Sequence, residues 1–414
     1  MRIFLYVILF FNFGFLAAIT SKDIRIQAMT TISFFVIFLV MLAKKNMRQE
    51  IGRYTGGLSG LYFIISILLF LEASYTYYRY EEILPIGELL RMVSVFAIQP
   101  LGAYWFLYVL DKDGEKKFFK IVNGLFWIMV LISFVAYTVY ALAGMQIFSG
   151  LYTSESLQST SNMDGLIMRD ENLRIGLPIW GIFAFSYYLS GLLVKKKKIY
   201  ILPILCFFLY MFYIEQTRAN LLYYCISSFV TILFMKDSKF YRFIFLFIGI
   251  GALIVGAPLL LELFSDTGDH AYSTLARIYE IEYFWSVWQN NIWGGMGLLA
   301  GNSEVPDILD IVYSPLGIAS MNDIGVFAGL FCYMGVIGVL YYLAFVSRFS
   351  YILKKYNKST DRYGFVFLLT LFVYFLLSSL TLSPFDSGRI LMVSIYLAMF
   401  EYYFSQQKEK RCET

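Results

Sequence analysis

The sequence predicts an all-α, polytopic integral membrane protein, with about twelve transmembrane helices in a single domain over residues 1–414, and three observations predict it. Of the 414 residues 59% are hydrophobic and only 15% charged, which is not the balance of a chain that folds in water. The apolar residues fall into runs near the length of about 20 that a helix needs to cross a hydrocarbon core, with charged residues between them. Finally, 34 Tyr, 41 Phe and 6 Trp accompany only 8 Pro, which suits apolar helices with aromatic residues at the headgroup level.

The first run, 3–19, has no small-residue cleavage site and is followed closely by 26–43, so it is read as a retained span. Lys44 and Lys45 close the second run, and Arg53 and Arg79 flank the third, 56–74. The fourth, 92–110, lies between Arg91 and Asp111; the fifth, 121–145, follows Lys120; the sixth, 175–194, ends at the lysine run 195–198. Runs 199–213 and 219–235 are separated by a tight turn carrying Glu215 and Arg218, and 243–263 follows Arg242. The last three are 324–346, 365–382 and 390–404, bounded by Asp323, Arg348, Arg362 and Arg389.

Basic residues near span ends stay cytoplasmic. With the N-terminus inside, most of the 33 Lys and Arg residues fall on the cytoplasmic side, among them Lys44, Lys45, Lys195, Lys354 and Lys355. Both termini are therefore expected in the cytoplasm of a multi-pass cell-membrane protein. Acidic residues gather on the opposite face. Most connections are short, but two outer ones, 146–174 and 264–323, are long, and long loops on one face of a helical scaffold are where function concentrates.

Other classes are excluded by count. The 4 cysteines have no paired spacing and there is 1 histidine, so neither a disulfide framework nor a metal cluster is expected. A net charge of +4 spread over many loops offers no basic face for nucleic acid. No cofactor is indicated.

On the outer face, Arg218 presents a guanidinium whose planar donors suit a diphosphate; a helix-end pair with Glu215 is the plain alternative. The long loop contains a helical pattern in which Leu275, Ile278, Ile281, Trp285 and Trp288 form an apolar stripe, while Arg277 and Glu280 share another face. Trp285 and Trp288 are candidate sugar platforms. Gly294, Gly295 and Gly297 permit a sharp turn whose amides are candidates to meet an anion or a sugar. Asn322 or Asp323 is placed to cap the tenth span, and Arg389 with Asp386 is a further outer pair.

The order of these features resembles the O-antigen polymerase and ligase superfamily, mainly over residues 170–340. The stretch Gln216, Thr217, Arg218, Ala219 is similar to its outer arginine turn, and Arg277 followed by Asn291, Ile292, Trp293, Gly294, Gly295, Met296 and Gly297 is similar to its second-arginine and glycine segment. Ligases of the superfamily carry a histidine just before the tenth span, where this chain has Ser320, Met321, Asn322 and Asp323, and His270 lies upstream of Arg277. The polymerase branch is the better match.

The resemblance implies a C-type glycosyltransferase-like fold and a glycan repeat on undecaprenyl diphosphate as substrate. It also implies a flippase and a chain-length regulator as working partners, beside the membrane lipids. Arg218 and Arg277 would hold the departing diphosphate, with Asp323, then Glu280, then Glu215 ranked as the base; Asn322, Trp285, Trp288, Gly295, Gly297 and Arg389 would line the substrate site. A ligase and a secondary transporter or lipid-linked oligosaccharide flippase are the rival readings. Transporters show internal repeats and ionisable groups in broken helices, and neither is clear in the sequence.

Overall fold

In the computed structural model the described residues are 2–15, 26–81, 83–145, 147, 175–215, 217–235, 271–299, 324–357, 359–381, 383–385 and 389–412. They form an all-helical protein, with no strand among the described residues. Helix α1 is Arg2–Phe10, widened by a π-type turn over Phe11–Phe15; α2 is Ile26–Ala43, α3 Lys45–Arg79, α4 Ile86–Asp113 and α5 Glu115–Ala143. Then come α6, Gly181–Leu193; α7, Ile201–Tyr210, extended by a π-type turn to Glu215; and α8, Arg218–Phe234. Helix α9 is Ala271–Asn290, α10 is Tyr333–Tyr356 entered through a π-type turn at Phe327–Cys332, α11 is Arg362–Ser378 and α12 is Ile390–Cys412.

Among the described residues five helical stretches are long and apolar enough to cross a membrane: Gly56–Arg79, Ile86–Asp113, Glu115–Ala143, Lys198–Glu215 and Phe327–Tyr356. Shorter apolar helices accompany them at Met29–Ala43, Gly181–Leu193, Ala219–Phe234 and Arg362–Ser378. The protein is therefore membrane-embedded. The expected span 243–263 lies outside the described residues, as do nearly all of the outer connection 146–174 and, of the connection 264–323, residues 264–270 and 300–323.

Helix α4 is the most deeply buried of the five, with Trp105, Phe106, Leu107, Val109 and Leu110 inside the core. It carries Pro100, which cannot donate to the carbonyl one turn earlier. The orphaned Phe96 carbonyl instead accepts from Tyr341 Oη of α10 at 3.0 Å. Ser394 of α12 donates to the Gln99 carbonyl and Tyr62 of α3 to the Pro100 carbonyl. Hydroxyls on three neighbouring helices thus satisfy a distorted segment where no water can.

Charged contacts gather the ends of the bundle. At one end Asp113 takes Arg2 at 2.8 Å and Lys117 at 3.2 Å, and Tyr403 Oη donates to Glu115 at 2.8 Å. There too Arg348 forks onto Glu401, Nε and Nη2 lying 2.6 and 2.8 Å from its two oxygens, and the guanidinium crosses α3 where Gly57 leaves no side chain in the way. Glu401 is buried, so removing the cation costs far more than a surface pair would. Arg348→Ala is expected to destabilise the protein by about 3 kcal/mol or more, read as thermal unfolding in detergent, with Arg348→Lys intermediate because a point charge cannot fork.

Candidate functional site

The opposite end holds two polar assemblies. The first is built around the turn that follows α9. Gly295 and Gly297 have φ of +59° and +98°, values that a side chain would strain. Gly294 packs against the Tyr75 ring and Gly297 against Thr76, both on the last turns of α3. On its other side the turn meets α10 where that helix breaks: Gly335 has φ 53° and ψ −139°. Met296 N and Gly297 N donate to the Cys332 and Tyr333 carbonyls at 2.9 and 2.8 Å, and Val336 N and Ile337 N donate back to the Ile292 and Trp293 carbonyls at 2.8 and 3.4 Å.

Of the two readings of these glycines, a plain sharp turn and an anion or sugar contact through the amides, the backbone bonds favour the plain turn. Its amides do not stand open to an anion: Gly295 N bonds to the Asn291 carbonyl, and the next two bond to the broken helix. The glycines are there because two backbones approach within hydrogen-bond distance.

Three polar groups of α3 support the turn from below. Arg79 Nη1 lies 2.7 Å from Asn291 Oδ1, 2.9 Å from the Gly295 carbonyl and 3.1 Å from Tyr75 Oη. Thr76 Oγ1 accepts from the Leu298 amide at 2.9 Å and donates to Glu72 Oε1 at 3.3 Å. Glu72 is fully buried, and its Oε2 has no hydrogen-bond partner among the described residues. A buried acid on α3 and a break in α10 are thus both present, on different helices.

Helix α9 bears out a helical segment through 271–288, and of the two places open to its apolar stripe, on the bundle or at the membrane interface, most of the stripe is turned away from the bundle. Phe284 and Glu280 are buried, whereas Ile278, Ile281 and Trp285 are exposed. Trp285 and Trp288 nevertheless pair, their ring centroids 5.3 Å apart, and both lie beside Phe327 at 6.2 and 6.4 Å. The Trp288 indole nitrogen is without a partner among the described residues. Arg277 belongs to α9.

The second assembly joins α7, α8, α11 and the segment before α12. Glu215 is buried at the end of the widened α7 turn, and its Oε1 accepts from Asn220 Nδ2 at 2.7 Å. Its Oε2 has no hydrogen-bond partner among the described residues, and Arg389 acts on the carboxylate electrostatically. Tyr374 Oη points at Asn220 Oδ1 at 3.4 Å, and Tyr223 and Thr381 hydroxyls lie 2.8 Å apart. Arg389 Nη1 reaches the Ser383 carbonyl at 3.5 Å. Arg218 is the first residue of α8, three positions after Glu215.

The structure therefore brings together Glu215, Asn220, Tyr374 and Arg389, and separately sets the glycine turn at the end of the helix that carries Trp285 and Trp288; Glu280 is buried further back on that helix. Asn322, Asp323, Asp386 and His270 lie outside the described residues. Sequence reasoning missed Asn220, Tyr374, Glu72 and the contacts of Arg79. Glu72 could have been found as an acid inside an apolar run; Tyr374 carried no signal. No group of residues that could hold a metal ion occurs among the described residues. No family model matches the chain, and no curated protein matches it.

Proposed function

We propose that the chain is a repeat-unit polymerase of O-antigen, capsule or exopolysaccharide, a glycosyltransferase acting on undecaprenyl-diphosphate-linked glycans at the outer face of the cell membrane. In this reading it has about twelve spans, a long extracytoplasmic loop over 264–323, and both termini in the cytoplasm. The observation that carries it is the presence, at the end opposite the lysine-rich connections, of an aromatic pair, of a buried carboxylate that accepts from Asn220, whose own amide oxygen meets Tyr374, and of helix ends bearing Arg218 and Arg389.

The glycosyl C1–O bond to the donor diphosphate breaks while a hydroxyl oxygen of the next lipid-linked unit bonds to C1. The hydroxyl proton passes to a base, and the diphosphate leaves on the polyprenyl carrier. Arg218 and Arg277 stabilise the charge on the leaving group. Asp323 ranks first as the base, because Glu280 and Glu215 are both buried. Trp285 and Trp288 supply an apolar face for a sugar ring, and the Trp288 N–H a donor beside it. The site orients two lipid-linked substrates whose own chemistry provides the leaving group.

A transporter is the second reading, favoured by the break at Gly335 and the buried Glu72. The test is the lipid-linked glycan of cells lacking the chain. A polymerase predicts single repeat units on the outer leaflet and no long chains. Repeat units held on the inner leaflet would establish the transporter, and long lipid-linked chains that fail to reach an acceptor would establish a ligase.

A further inference from the structure

We propose that Arg79 is a positioning residue of the outer site, holding the turn 291–297 in place and, through it, the indole pair of α9. The inference rests on the polymerase reading for what the indoles bind, but its mechanical half does not. Arg79 ends α3, and one guanidinium nitrogen gathers the Asn291 side chain, the Gly295 carbonyl and the Tyr75 hydroxyl, while the cation lies 5.1 Å from the Tyr80 ring centroid. The Gly295 carbonyl also accepts from Tyr75 Oη at 3.3 Å. Asn291 is the residue immediately after α9, and its Nδ2 returns to the Val287 carbonyl at 3.2 Å, one residue from Trp288. A movement of Asn291 is therefore felt within one helical turn of both indoles.

The turn is otherwise held by backbone bonds to α10, which fix it to the broken helix and not to α3. Arg79, Tyr75 and Thr76 are what tie the turn to α3, and Arg79 alone among them also reaches the Asn291 side chain at the end of α9. A displacement of about 1 Å is enough to cost a well-oriented reaction up to roughly a hundredfold.

The test uses the full chain in detergent and in cells. Arg79→Ala should raise hydrogen exchange of the amides in 291–298 while leaving those of 348–356 unchanged, and should reduce polymer beyond one repeat roughly tenfold to a hundredfold. The pair Tyr75→Cys and Gly294→Cys, whose side chains would meet because the Gly294 Cβ direction runs into the Tyr75 ring, then ties the turn to α3 without a guanidinium. Oxidation of this pair in the Arg79→Ala background should restore both protection and chain length, and reduction should abolish the rescue. Unchanged exchange over 291–298 in Arg79→Ala overturns the proposal. So does a tether that restores protection without chain length, because the guanidinium would then be needed for itself. If Trp285→Ala and Arg218→Ala both leave chain length normal, it is the polymerase reading that fails, and the exchange result still decides whether Arg79 holds the turn.

Discussion

Arg218→Ala is expected to cut polymerisation by roughly a hundredfold or more, the scale of losing one preorganised electrostatic contact to a developing charge, with Arg277→Ala behaving alike. Arg218 opens α8 three positions after the Glu215 that ends a widened turn, so its backbone amide lies at the positive end of a helix. A lysine should rescue only in part, because it cannot present two parallel donors to a diphosphate. The measurement is polymer length on a gel beside protein level. Normal chain length in both alanine variants at normal expression would remove the arginines from the chemistry and direct attention to Arg389 with Glu215 and Asn220.

Gly335→Ala should fail to accumulate as folded protein. The residue combines a positive φ with an extended ψ, and a Cβ there would run into the Ile292 and Trp293 carbonyl groups. Backbone strain alone costs about 1–3 kcal/mol, and the four backbone bonds that cross the break cannot form around an added methyl. Gly60→Ala in α3 is the matched control: nothing lies within 4 Å of its Cβ position, and a helical alanine there should stabilise by about 0.5–1 kcal/mol. Yield and thermal unfolding in detergent separate the two. Equal stability of both variants would mean that the break at Gly335 is not required.

The membrane-embedded helical fold was legible because apolar runs of spanning length report directly on solvent. Helix ends were not, because the runs stop at charge whereas helices do not: α3 begins at Lys45, well before the apolar run at 56, since Lys, Arg, Gln and Glu are good helix formers. The opposite error occurs at 175–194, where Pro178 delays the helix to Gly181. Gly335 was legible as a small residue suited to close packing but not as a break, for the cause lies in residues 292–297, distant in sequence. Arg79 entered the sequence reading only as a charge that marks orientation, because its partners Asn291 and Gly295 are more than two hundred positions away. Trp285 was legible as an aromatic on a helix, but which face α9 buries depends on Phe284 meeting Cys332, a contact no periodicity encodes.

The exchange of carbonyls and amides between 292–297 and 332–337 also constrains assembly. Amides and carbonyls released from a helix at membrane depth have no water to turn to, so the broken segment would be an unstable intermediate if it entered the bilayer alone. Synthesis from the N-terminus delivers Ile292, Trp293, Met296 and Gly297 before Cys332, Tyr333, Val336 and Ile337 leave the ribosome. The two segments are therefore expected to close together, each completing the other's hydrogen bonds.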